Sequence, residues 1–592
     1  MYKNIPDMLK KRVEKSPERT AHFTLNEKGQ WEGHSWSKFY VSAFEISEKL
    51  FNAGLRLGDN IALIAPTSLL WEYIQMGILI AGGTVVGIDP GEDLLSIEKN
   101  VGLCSVKGLI VQDPSFLEKL NKETINRLRF VVFIDGADFE SSNNIFSLNQ
   151  LKRKAFPEVD INLKSPATMI FTSGTTGEQK AVLYTHEQVL AACRSVINAF
   201  DDLNSETNLV CWLPLANLFQ RMINYCAIEI GANNYFVEDP KKIAKLIPQI
   251  NPHIFIGVPR VFEKIYFGIQ SEIDKKSKVA RFLINYSIKK GEIISTDLRN
   301  KKTTPFLTFY IYKILDALIL KKIRSIFGDN LKYMISGSAP MPLWLLEKFH
   351  AMGFLVLEAY GISENIIPNS INTSKNFKFG TVGKPLSENI IKIAPDGEFL
   401  IKGPGLFSGY YGKNKDEFTF DEEGFFATGD FVRKDEDGYL IIEGRKSEVF
   451  KTSTGRKIAP AGIENIIKEI SYIEQAVVSG AQKKFIVSIL AVSKDFFNEK
   501  GKFSINEILK EINDDIFFKI KHLPDYKKPV GFIVKFSEFS QESHEVTSNL
   551  KLRRKVIEKN YESEINKIYD FLDKKGFSKE CIQIDQTVFI II

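Results

Sequence analysis

The chain has 592 residues, 44% hydrophobic and 26% charged, so it can bury sizeable cores and is neither disordered by composition nor one ordinary domain. Its 78 lysines and arginines face 73 aspartates and glutamates, and a net charge of +5 excludes the one-sided basic balance of a nucleic-acid binder. The five cysteines, at 104, 193, 211, 226 and 581, form no Cys-x-x-Cys, so reduced thiols packed in cores are expected rather than a disulfide framework or a cysteine-rich zinc site.

The start, Met1-Tyr2-Lys3-Asn4-Ile5-Pro6-Asp7, lacks the apolar core of a signal peptide, and a reducing, cytoplasmic setting is expected. Residues 61–65 read as a strand, 71–81 as a helix and 84–88 as a strand again. Such alternation continues along the chain and predicts an α/β fold with largely parallel sheets.

The strongest local signal follows the apolar strand Thr168-Met169-Ile170-Phe171. It is the loop Thr172-Ser173-Gly174-Thr175-Thr176-Gly177-Glu178-Gln179-Lys180. Glycines let backbone N–H groups approach a ligand, serine and threonine add donors, and lysine adds a mobile cation; the combination suits phosphate. The spacing is not that of Gly-x-x-x-x-Gly-Lys-Ser/Thr. Ala181-Val182-Leu183-Tyr184-Thr185 reads as a second strand, so no helix follows the loop directly. Thr185 and Gln188 then predict a capping box opening a helix over 187–200.

Further on come Leu213-Pro214-Leu215-Ala216-Asn217-Leu218-Phe219-Gln220-Arg221 and Gly257-Val258-Pro259-Arg260, where Pro259 suits a first helical turn. Residues 306–320 are apolar but broken by Lys313 and Asp316, and no window offers about 20 uninterrupted apolar residues for a membrane span. This stretch and the terminal run 588–592 leave two readings open: lipid contact, or a core helix and a docked strand. Ser336-Gly337-Ser338-Ala339-Pro340, Ala359-Tyr360-Gly361-Ile362-Ser363-Glu364 and Gly424-Phe425-Phe426-Ala427-Thr428-Gly429-Asp430 follow. Residues 439–443 read as a strand, and the charged stretch Gly444-Arg445-Lys446-Ser447-Glu448 marks the expected domain boundary. Beyond it, a helix over 458–470 and apolar runs over 485–492 and 530–536 predict a smaller α+β domain. The expected division is 1–444, 445–570 and an extension over 571–592.

Taken together and in this order, these segments resemble the adenylate-forming superfamily, and Gly257–Ile265 and Thr547-Ser548-Asn549-Leu550-Lys551-Leu552-Arg553-Arg554 resemble its long-chain fatty acid–CoA ligases. The resemblance covers about residues 10–567. It implies ATP-dependent activation of a carboxylic acid, with a medium- or long-chain fatty acid expected, and transfer to CoA. It implies that Thr172, Ser173, Gly174, Thr175, Thr176 and Gly177 hold the triphosphate with Lys180. By the same resemblance Gly337, Ser338, Ala339 and Gly361 would lie against the nucleotide, and Tyr360 would stack on adenine. It further implies that Ser363 donates to the α-phosphate or the carboxylate, that Glu364 holds Mg²⁺, that Asp430 accepts from the ribose hydroxyls, and that Arg445 contacts ribose or phosphate. Lys551 is the implied catalytic lysine, and the loop around Gly455 meets the thiol acceptor after the small domain swings.

Some positions depart from the pattern. Asn217 stands where histidine is usual and has no proton to exchange near neutral pH. Gln179, Ala181 and Thr454 replace the usual proline, glycine and glycine. Two alternatives therefore stay open: loading the phosphopantetheine of an acyl carrier protein, and a non-catalytic homologue that binds nucleotide or acyl ligand. No nucleic-acid partner is expected, and oligomeric state is not readable from the sequence.

Overall fold

The computed structural model describes residues 2–135, 144–173, 179–413, 420–470, 472–494, 496, 504–540, 542–546, 552–575, 581–584 and 587–591. The chain divides into two units. The first comprises Met1–Met341, Leu346–Lys392 and Leu400–Ala427, and the second Pro342–Leu345, Ile393–Phe399 and Thr428–Ile592.

Strands of the first unit, in chain order, are β1 (Thr20–Leu25), β2 (Trp31–Ser35), β3 (Asn60–Ile64), β4 (Thr84–Gly87), β5 (Gly108–Val111), β6 (Phe130–Phe133), β7 (Ile145–Ser147), β8 (Pro166–Ser173) and β9 (Gln179–Thr185). They continue with β10 (Asn208–Cys211), β11 (Asn233–Phe236), β12 (Ile254–Gly257), β13 (Tyr333–Ser336), β14 (Val356–Tyr360), β15 (Ser370–Ile371) and β16 (Lys384–Pro385). One sheet runs β7-β6-β5-β3-β4-β8-β9 and is parallel up to β8, with β9 returning antiparallel. Its central strands β3, β4, β5 and β6 are buried at every residue, so they lack the alternation of a half-exposed strand. Each fully buried Ile, Leu or Val there contributes roughly 1.5–3 kcal/mol of transfer free energy. The helix predicted over 71–81 spans Leu69–Ile80, opened by the Ser68 side chain accepting from Trp71 N–H.

A second sheet runs β12-β13-β14-β15-β16, with β12, β13 and β14 parallel and the two short strands antiparallel. Ser336 and Tyr360 end neighbouring parallel strands, so the turns that follow them share one edge of the sheet. In open α/β sheets that carboxyl edge is where ligands bind. A third sheet runs β10-β11-β1-β2.

In the second unit, one sheet runs Ile473–Ser479, Val487–Val492, Gly531–Lys535, Thr587–Ile591 and Cys581–Ile584. Side chains of its first three strands alternate between two cores. Ala476, Val478, Leu490, Phe532 and Val534 pack with helices Pro460–Ile467 and Ile505–Ile520. Val477, Val487, Ile489 and Ile533 pack with Ile557, Ile565 and Ile568. The terminal apolar run is a strand: Phe532 pairs with Ile590 and Val534 with Val588, antiparallel.

The 306–320 stretch is neither a span nor a core helix. It forms the α-helix Phe306–Leu315 and a π-turn Asp316–Leu320, and Leu320 is its one buried residue. No helix among the described residues is long and apolar enough to cross a membrane. Cys104, Cys193, Cys211 and Cys226 are buried free thiols, and burial pushes Cys104 up to about 12.

Candidate functional site

The β8–β9 hairpin brings Thr172 opposite Lys180 and Ser173 opposite Gln179. Gly174, Thr175, Thr176 and Gly177 lie outside the described residues, as does Lys551. The predicted capping box is present: Thr185 Oγ1 accepts from Gln188 N–H, and the Gln188 side chain accepts from Thr185 N–H. Gln188 also donates to the Leu406 carbonyl at 2.7 Å, and Tyr411 N–H donates to the Ala181 carbonyl at 2.8 Å. These bonds lay the 406–411 segment along β9, and Val182 bridges to Tyr410. The Lys180 ammonium consequently sits 4.5 Å from the centroid of the Tyr410 ring.

The same tyrosine reaches the turn after β14. Its hydroxyl donates to Glu364 Oε1 at 2.7 Å, while Phe407 N–H donates to the Glu364 carbonyl at 2.9 Å. The fully buried Tyr184 hydroxyl donates to the Ser363 carbonyl. Ser363 and Glu364 are therefore clamped from two sides, by β9 and by the 406–411 segment. Burial, reinforced by the Glu364 charge, raises the Tyr410 phenol, so it stays a proton donor at every physiological pH.

On the adjoining edge, Gly337 is buried, and a Cβ there would lie 3.4 Å from the Phe219 ring. Ser338 takes a left-handed φ of 72°, and Ser338 and Ala339 are exposed. This turn is anchored from below: Met341 N–H donates to Glu358 Oε1 at 2.9 Å. Glu358 lies two residues before Tyr360, and burial raises its carboxyl to about 8. Tyr360 is buried and Gly361 exposed.

The loop carrying Asn217 is also held from beneath. Thr67 Oγ1 donates to the Leu213 carbonyl at 2.9 Å and accepts from Leu215 N–H at 3.1 Å. The fully buried Arg221 guanidinium donates to the Ala216 carbonyl at 3.2 Å and to Thr168 Oγ1 on β8. Glu72, buried beside it, accepts from Gln75 and Asn224 at 2.9 Å each. Burial pushes Glu72 up to about 7 against the pull of those bonds and of Arg221.

Within the second unit, Asp430 and Arg445 are register partners on strands Phe426–Lys434 and Leu440–Arg445, and their side chains pair at 3.1 Å. Asp430 is buried and Arg445 exposed. Gly455 takes a φ of 79° with nothing within 4 Å of a built Cβ. Beside it, Thr452 and Thr454 hydroxyls bond at 2.9 Å.

Lys180, Ser363 and Glu364 thus meet, with Gly337, Ser338, Ala339, Tyr360 and Gly361 along the same sheet edge. Sequence reasoning missed Tyr410, Tyr184, Glu358 and Arg221. Tyr410 belongs to Phe407-Ser408-Gly409-Tyr410-Tyr411-Gly412, and nothing local sets it apart from any surface tyrosine.

The profile of the AMP-binding enzyme family matches residues 9–411, and that of the AMP-binding enzyme C-terminal domain matches 448–573. The chain is 27% identical over 547 residues to the long-chain-fatty-acid–CoA ligase FadD15 of Mycobacterium bovis, covering 88% of this chain and 90% of that protein. It is 27% identical over 603 residues to fatty acyl-CoA synthetase B of Dictyostelium discoideum, covering 92% and 86%. Among solved structures, the adenylation–carrier didomain of a carboxylic acid reductase from Segniliparus rugosus with AMP superposes with a TM-score of 0.75 at 19% identity, covering 97% of this chain and 83% of that one. The O-succinylbenzoate coenzyme A synthetase of Bacillus subtilis with ATP and magnesium gives 0.67 at 19% identity, covering 93% and 98%. At these identities the structural likenesses speak for the fold.

Proposed function

The chain belongs to the AMP-binding enzyme family, and from that premise we propose that it activates a medium- or long-chain fatty acid with ATP as acyl-AMP and passes the acyl group to coenzyme A. The observation that carries this reading is the convergence of Lys180, Tyr410, Ser363 and Glu364 from three separate stretches of chain.

In the first step a carboxylate oxygen attacks the α-phosphorus and pyrophosphate leaves. Negative charge grows on the phosphate oxygens, and fixed cations and donors lower the barrier. Lys180 supplies one cation, Lys551 a second, and Ser363 a hydroxyl donor. Tyr360 and the 337–339 turn bind the adenine, and Asp430 with Arg445 binds the ribose. The donor set fits Mg²⁺: Glu364 offers a hard carboxylate whose orientation Tyr410 fixes, and a cation riding on substrate phosphates needs few protein ligands. When bound, Mg²⁺ would neutralise phosphate charge. In the second step the thiol attacks the acyl carbonyl and AMP leaves, with the Gly455 loop lining the thiol path.

The acceptor is tested by incubating purified protein with ATP, Mg²⁺ and fatty acids of graded length, with either free CoA or a holo-carrier protein. Acyl-CoA is expected. Thioester formed only on the carrier would overturn the CoA reading.

A further inference from the structure

We infer that the helical pair Lys278–Arg299 and Phe306–Leu315, with its turn Asp316–Leu320, is a docking platform for an anionic lipid bilayer. The first helix is amphipathic in an inverted sense. Its buried face is small: Ser287, Gly291 and Ser295 recur every fourth residue, and Gly291 packs so closely on Ala351 that a Cβ would lie 2.2 Å from that carbonyl oxygen. Ile288 is its one large apolar residue that is buried, whereas Val279, Phe282, Leu283, Tyr286 and Ile293 are exposed. The second helix adds Phe306, Leu307, Tyr310 and Ile314, and its turn adds Leu318; Phe306 is 75% exposed, Leu307 71% and Leu318 64%. Phe306 and Tyr310 rings lie 4.4 Å apart. Single exposed apolar residues are ordinary, but an exposed apolar stripe on each of two packed helices marks a contact surface.

Charge selects the occupant. Residues 275–326 hold thirteen lysines and arginines and three acidic residues, a net +10 in a chain whose total is +5. Two of the acids are already paired, Glu292 with Lys348 and Asp316 with Arg324. Lys289, Lys301, Lys302, Lys313, Lys321 and Lys322 are exposed. A second copy of the chain would bring like charge against like. An anionic bilayer offers an apolar layer for the aromatic and aliphatic stripe and negative headgroups for the lysines.

Flotation of the full chain with phosphatidylcholine vesicles, with and without phosphatidylglycerol, tests this. The protein should float with the anionic vesicles, lose binding as salt is raised, and stay behind with phosphatidylcholine alone. The combined variant Phe306→Ser, Leu307→Ser, Tyr310→Ser and Ile314→Ser should bind at least about tenfold more weakly, as each lost side chain removes apolar area from the lipid. A second variant, Lys301→Glu, Lys302→Glu, Lys313→Glu and Lys321→Glu, should weaken binding to anionic vesicles comparably. Both should keep the parent melting temperature and adenylation of a freely dissolved acid. No flotation of the parent with anionic vesicles, variants that float like the parent, or a parent that dimerises through this face without binding vesicles would overturn the proposal. Vesicle binding is read without ATP or acid, so its failure is separate from failure of the proposed chemistry.

Discussion

The Tyr410 hydroxyl donates to Glu364 Oε1 at 2.7 Å, and the Lys180 ammonium lies 4.5 Å from the centroid of the same ring. One side chain from the 406–411 segment thereby contacts an anion in the turn after β14 and a cation on β9. A carboxylate whose rotamer is fixed loses less freedom when it takes a ligand, and a lysine seated on an aromatic face is confined in its place.

Tyr410→Phe keeps the ring under Lys180 and removes only the bond to Glu364. The loss of a hydrogen bond to a charged group is worth about 1.5–3 kcal/mol, so adenylation should fall roughly ten- to a hundredfold. The loss should appear chiefly as a raised Mg²⁺ requirement. A Mg²⁺ titration of ATP–pyrophosphate exchange checks this, and an unchanged curve would remove Tyr410 from the site.

Glu358 makes a pH prediction. Its folded value, about 8, lies above the ordinary 4.5, so the folded protein holds a proton the unfolded chain has released between those limits. Stability should fall as pH rises from about 4.5 to about 8 and level off above it, by an amount on the order of a few kcal/mol from this group. Glu358→Gln keeps an acceptor for Met341 N–H without the charge. Its melting temperature should decline less than that of the parent across this window; equal slopes would contradict the assignment.

Arg221 should be structural. It joins the loop before Asn217 to β8 while fully buried, with Glu72 nearby. Arg221→Met leaves polar partners unpaired and should cost about 2–5 kcal/mol. Urea unfolding reads this directly, and a change under about 0.5 kcal/mol would be the range of an ordinary surface substitution.

Lys551→Ala should abolish acyl-AMP formation yet leave transfer from supplied acyl-AMP to CoA largely intact. Equal loss of both half-reactions would remove Lys551 from the first step.

Much of the fold's logic was legible in sequence because it is local. The paired strands on either side of residues 174–178 and the Thr185–Gln188 box follow from neighbouring residues, and both are present. Lys180 stood out by the chemistry of its loop, whereas Glu364 was marked only by the resemblance that its motif carries. Tyr410 stood out in neither way, because it meets Glu364 across 46 residues through a segment whose course depends on long-range bonds to β9. The 306–320 stretch was ambiguous for another reason. A helix apolar almost all round has no polar face to show which side is buried, and only packing reveals that its aromatic side faces outward. The terminal strand's partner was equally hidden, since an apolar pentapeptide carries no register of its own.

The central claim is most directly tested by acid-dependent ATP–pyrophosphate exchange on the purified chain with Mg²⁺ and a panel of carboxylic acids. Exchange should require both acid and Mg²⁺, peak within the medium- to long-chain fatty acids, and fall about a hundredfold or more in Lys180→Met. Absence of exchange with every acid, from protein that is folded and binds ATP, would contradict the account.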